Sequence, residues 1–132
     1  MRNEKERRNV AVVEAFRAAF AAGEGYLDHL TEEPMWRVFH SERPGRAGVQ
    51  HLREHIVARL YPHGTDTEVQ SVTAEDDRVV VQQIIRARTN KIDDYLNYYV
   101  IVYELTEDGR IHTVWEYLNN LYSQEAFDLT QL

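Results

Sequence analysis

The sequence contains no cysteine, which excludes a disulfide framework, a thiol nucleophile and a thiolate metal site. Positive charge is also scarce. Fifteen Lys and Arg stand against 22 Asp and Glu, a formal net charge of −7, and such a surface repels nucleic-acid phosphates and anionic lipid. The basic stretch Arg2-Asn3-Glu4-Lys5-Glu6-Arg7-Arg8 is interrupted by acids and reads as a solvated helix start. No apolar run is long enough to cross a bilayer, and the N-terminus is charged where a signal peptide has an apolar centre. A cytoplasmic protein is expected, with neither nucleic acid nor membrane as partner. There is no glycine-rich phosphate loop and no Ser/His/Asp set with nucleophile-elbow spacing. His51 and His55 are four residues apart, but Leu52 stands where a zincin helix has glutamate, so no metal is assigned. What remains is acid/base chemistry without a cofactor. A length of 132 residues suits one domain, 1–132, with one core.

The pattern of the chain predicts helices first and strands afterwards. From Glu4 to Ala22, Val10, Val13, Phe16 and Phe20 recur at helical spacing, and Gly23 ends the stretch. Gly25 to Leu30 reads as a helical turn or two stopped near Pro34, and Met35 to His40 as a strand. Pro44-Gly45 reads as a turn. A second long helix, Ala47 to Leu60, carries Val49, Leu52, Ile56 and Leu60 on one stripe. Strands are then predicted over Thr67–Thr73 and Arg78–Thr89, followed by a long hairpin from Asp94 to Leu105 and Ile111 to Leu118 around Asp108-Gly109. Ser123 to Phe127 reads as a short terminal helix. This order makes an α+β fold in which helices cover one face of a curved antiparallel sheet.

Side-chain alternation places Asn97, Tyr99, Ile101 and Tyr103 on one face of the hairpin and Val114, Glu116 and Leu118 on one face of its return strand. Glu116 between Val114 and Leu118 is either a solvated or ion-paired carboxylate, with Arg37 or Arg86 as partner, or a desolvated acid whose pKa is raised towards neutrality. His55 borders the stripe of the second long helix, where it is either a boundary residue or a proton-shuttling partner of Glu116. Asn97, Tyr99 and Tyr103, with Val114 and Leu118 as apolar wall, would orient a hydrophobic, oxygen-bearing ligand. Arg37 and Arg86 are candidates for a ligand carboxylate if they face inward; Arg88 reads as outward. The opposite face, with Leu96, Tyr98, Val100, Val102, Trp115 and Tyr117, is aromatic as well and is expected to form a homodimer.

The element order, with Tyr95-Leu96-Asn97-Tyr98-Tyr99, Glu104-Leu105, Asp108-Gly109-Arg110-Ile111 and Glu116-Tyr117-Leu118-Asn119, resembles the cone-shaped fold of the nuclear transport factor 2-like superfamily. This SnoaL-like, or cystatin-like, α+β barrel is shared by ketosteroid isomerases, SnoaL-type polyketide cyclases and limonene-epoxide hydrolases. Arg7-Arg8-Asn9 with Val13-Glu14-Ala15-Phe16, Leu52-Arg53-Glu54-His55 and Glu116 are similar to the phenazine-biosynthesis A/B proteins, although Arg59 stands where those have serine. That likeness implies that His55 and Glu116 face each other in a cavity. Glu116 also falls at the catalytic aspartate of the epoxide hydrolases, but Arg86 and Arg88 occupy the places of their arginine and second aspartate. The function expected is isomerisation, cyclisation or condensation of a metabolite by an isomerase- or cyclase-like enzyme without cofactor. The alternative is a non-catalytic ligand-binding or dimerisation module of the same shape.

Overall fold

The computed structural model describes residues 1–38 and 41–132. Phe39 and His40, expected in the first strand, lie outside the described residues. Helix α1 (Glu4–Ala22) opens with a capping box, in which the Asn3 side chain accepts from the Glu6 amide and the Glu6 carboxylate accepts from the Asn3 amide. It ends at Gly23, whose φ of 79° is the left-handed conformation that glycine adopts without strain. A 3-10 turn (Tyr26–His29) leads into β1 (Leu30–Val38), and β2 (Ser41–Pro44) folds back along it. One continuous helical run follows, made of α2 (Gly45–His51), a π-helical stretch (Leu52–Val57) and α3 (Ala58–Leu60). Four strands come next, β3 (Asp66–Glu75), β4 (Arg78–Ala87), β5 (Tyr95–Leu105) and β6 (Ile111–Leu118). Helix α4 (Asn120–Ala126), capped by the Asn119 side chain, and a 3-10 turn (Leu129–Gln131) close the chain.

The six strands form one sheet in the order β2-β1-β6-β5-β4-β3. The architecture is the α+β cone expected, with one difference: β1 runs parallel to β6, so the sheet is mixed rather than wholly antiparallel. The first strand also begins earlier than the sequence suggested. Pro34 does not stop it, because the register with β6 breaks between Leu30 and Met35 and pairing with β2 starts only at Met35. A proline at such a break removes no ladder hydrogen bond.

The hairpin register sets the levels of the interior. Val79, Tyr103 and Val114 lie side by side across β4, β5 and β6; the next level holds Val81, Ile101 and Glu116, and the one after holds Gln83, Tyr99 and Leu118. Helix α1 lies across this inner face and buries Val10, Val13 and Phe16 against it. Lys5 clasps the N-terminal end of α1 to both hairpin turns through Asp76, Asp77 and Glu107.

Candidate active site

The interior is filled at one end and hollow at the other. A cavity of about 370 Å³ opens between α1, the helical run Leu52–Leu60 and the start of β3, a volume within the ordinary range for small-molecule sites. Ala18, Ala21, Ala58 and Gly64 are exposed residues of its lining, and its wall is mostly apolar and aromatic. Its polar lining includes Glu116, Arg17, Gln83, Tyr103, Tyr61 and Arg53, with Thr65 and Thr67.

Glu116 reaches the interior because β6 alternates and Val38 of β1 lies beside it. Among the described residues its carboxyl takes one hydrogen bond, from the indole Nε1–H of Trp36 at 3.1 Å. Trp36 is itself stacked on Phe20, with ring centroids 5.0 Å apart. Glu116 keeps some accessible surface because it borders the hollow, yet desolvation of the carboxyl pushes its pKa up, and the Trp36 bond offsets this only in part. No cation among the described residues forms an ion pair with it. Arg37 instead pairs with Glu42 at 3.0 Å and lies over Trp115 on the outer face of the sheet. Arg86 is exposed and pairs with Glu68 at 2.9 Å. Neither arginine lines this cavity, since parallel pairing sets Arg37 beside Trp115, and Arg86 falls in the outward row of β4 with Arg78 and Gln82.

His55 is exposed and rests against His51, with ring centroids 5.0 Å apart. It does not meet Glu116. The π-helical stretch explains the displacement: its wider turn inserts an extra residue per turn, so Leu52 is followed on the cavity wall by Val57, Ala58 and Tyr61. Ile56 and Leu60 stay half-buried at the side, and His55 turns away.

Asn97 is on the expected face and fully buried, but its amide is consumed by the protein. Its Nδ2 donates to the Asn119 carbonyl at 3.1 Å and to the Tyr95 hydroxyl at 3.0 Å, and its Oδ1 accepts from the Tyr98 amide at 2.9 Å. These backbone partners fix which way the amide points. Tyr95 thus accepts from Asn97, and its own buried proton is satisfied by donating to Tyr99, 2.6 Å away. Tyr99 in turn donates to Tyr61 at 3.0 Å, which leaves the Tyr61 O–H to be offered at the cavity wall. Burial pushes the pKa of Tyr61, Tyr99 and Tyr103 upward, so all three stay protonated donors. Tyr99 therefore stands behind the wall, Tyr103 and Tyr61 in it. Val114 lies in the packed level below, and Leu118 borders a shallow outer recess that also touches Glu116.

Sequence reasoning missed Arg17, Gln83, Tyr61 and Trp36. Arg17 lies four residues after Val13 and three before Phe20, an arginine on the apolar stripe of α1. Gln83 follows Val79 and Val81 in the inward row of β4, a buried amide in an apolar row. Both interruptions are readable in the sequence as polar residues at core positions.

No protein-family model matches the chain, and no curated protein does. Known structures do. Bal32a, from a soil-derived mobile gene cassette, superposes with a TM-score of 0.81 at 19% identity, over 95% of this chain and 100% of its own. A provisionally assigned SnoaL-like polyketide cyclase from Jannaschia sp. CCS1 gives 0.79 at 17% identity, over 96% and 95% of the two chains. The epoxide hydrolase/cyclase-like enzyme SalBIII, described in pyran ring formation in the polyether salinomycin, gives 0.72 at 18% identity, over 89% and 95%. The chain has the NTF2-like, SnoaL-like cone fold.

Proposed function

We propose that this chain is an enzyme of metabolite biosynthesis that isomerises, cyclises or condenses a hydrophobic, oxygen-bearing small molecule by proton transfer, with Glu116 as its acid and base. One observation carries the reading: a carboxyl with raised pKa, held among the described residues by a single indole N–H and paired there with no cation, stands in the wall of a mostly apolar hollow. Protonated, it donates to a carbonyl or ether oxygen; ionised, it removes a proton from an activated carbon. The Tyr61 and Tyr103 hydroxyls are donors for the oxygen on which charge develops. The SnoaL-like polyketide cyclase and SalBIII support this reading by fold. His55 has no part in it. The reading includes a homodimer through the outer sheet face, supported by Tyr98 and Tyr117, which are 62% and 55% exposed beside Leu96.

The test is deuterium exchange. A panel of polyketide-like enols and ketones is incubated with the protein in D2O, and label at the acidic carbon is followed by NMR. Glu116→Gln keeps the shape and removes the titrating proton, and the expected loss of exchange is about 100-fold or more. Exchange undiminished by the substitution would remove Glu116 from the mechanism; a compound bound tightly and recovered unlabelled would favour a non-catalytic binding module.

A further inference from the structure

Two arginines line the cavity, and they are used differently. Arg53 is tied to the C-terminal end of α1, where its Nε–H donates to the Phe20 carbonyl at 2.6 Å and an Nη–H to that of Ala21 at 3.1 Å. Its charge complements the helix end. Arg17 has no such role. Its Nη2 donates to the side-chain oxygen of Gln83, and its Nη1 lies 3.4 Å from the Tyr103 hydroxyl. Both partners are neutral and buried. No carboxylate forms an ion pair with Arg17 among the described residues. Glu116 shares the same hollow, but no ion pair joins it to Arg17 among the described residues.

A half-buried guanidinium that faces an apolar hollow without an anion is costly unless a ligand supplies the charge. With two of its five N–H donors engaged, three are left for that ligand. We propose that Arg17 is the anion anchor of the cavity, and that the molecule bound there is a hydrophobic carboxylate whose apolar body lies against Phe16, Val57 and Ile101 on the way to Glu116. A single guanidinium fork matches one carboxylate. A phosphate would call for more positive charge or a glycine-rich backbone cradle, and Arg53, the other lining cation, is already committed to α1. Gln83 and Tyr103 are positioning residues, holding the guanidinium between them. This inference rests on the cavity being the substrate site, and it names the class of substrate.

The test compares 2-naphthoate and biphenyl-4-carboxylate with their uncharged amides, by calorimetry and by the shift of the Trp36 indole N–H signal in ¹H–¹⁵N spectra. The acids are expected to bind about tenfold or more tightly than the amides. Arg17→Met should erase that preference, weakening the acids about tenfold and the amides distinctly less, whereas a merely structural arginine would weaken acid and amide alike. Arg17→Gln, which removes the charge but keeps a polar side chain, serves if the methionine variant folds poorly. Acid and amide bound equally, with the Trp36 signal shifted by both, overturns the anchor and leaves the cavity as the ligand site. A preference that persists without Arg17 also overturns it. Failure of every compound to move the Trp36 signal overturns both the anchor and the cavity reading, whereas a failure of Glu116 as acid and base shows only in the exchange assay.

Discussion

Helix α1 divides the cone into two halves that one element serves in different ways. Up to Phe16 it is core: Val10 and Val13 pack against the sheet at the end where Leu30, Val79, Leu105 and Ile111 are almost wholly excluded from solvent. From Phe16 onward it also becomes wall, with Arg17, Ala18 and Ala21 around the hollow. The sheet makes the same change, from Val79 and Val81 to Gln83 on β4 and from Val114 to Glu116 on β6. Polar groups thus enter the inward rows of β4 and β6 at adjacent levels. The filled half carries the close packing, and the hollow half leaves room for a ligand beside its polar groups.

That contrast is most directly broken by deleting volume in each half. Leu30→Ala, in the filled half, is expected to cost about 3 kcal/mol, and Leu52→Ala, on the cavity wall, about half of that, since the lost methyl groups faced fewer neighbours. Urea unfolding of both variants decides it; equal costs would mean that the hollow half is as tightly packed as the other.

A second substitution sharpens the contrast through pH. Burial raises the pKa of folded Glu116 above the ordinary glutamate value of 4.5, so its contribution to stability is fully present below pH 4.5 and is lost as pH rises through the folded value. Glu116→Gln does not titrate. The variant and the parent should therefore show the same stability difference at every pH below 4.5, and above it the variant should gain on the parent until the folded pKa is passed. Urea midpoints at pH 4, 6 and 8 read this directly. A gap independent of pH would mean an unperturbed carboxyl.

The smallest effects belong outside both halves. His55→Ala and Arg86→Ala are each expected to change stability by no more than about 0.5 kcal/mol and to leave binding of 2-naphthoate unchanged. A tenfold loss from either would return that residue to the site.

Much of this arrangement was legible because the hairpin is governed by a period of two. Alternation grouped Ile101 with Tyr103 on one face of the hairpin and Val114 with Glu116 on one face of its return strand. The pairing of Glu116 with Ile101 also needs the register shift between Glu104 and Leu105, which the turn residues do not announce. The helical wall was not legible in the same way. A period of 3.6 extrapolated from Val49 and Leu52 leads to Ile56 and brings His55 to the edge of the site, and no residue type in Leu52–Val57 announces that the period changes there. Asn97 was placed on the right face, but its amide is occupied through Asn119, a partner 22 residues away that only the folded chain brings near. Arg37 and Arg86 depended on which face of β1 and β4 meets the helices, a choice made by neighbouring strands.

The π-helical stretch has a consequence for how such a pocket changes over time. A π-helical turn takes up one more residue than an α-helical one, so losing a single residue between Leu52 and Val57 would restore the ordinary winding while Val57, Ala58 and Tyr61 kept their places on the wall. With the residue present and the winding ordinary, an advance of about 100° per residue would carry those side chains off the wall together, and the outermost donor of the tyrosine chain with them. The π-helical stretch is thus the place where this cone can gain or lose a residue without any change in the residues that carry its chemistry.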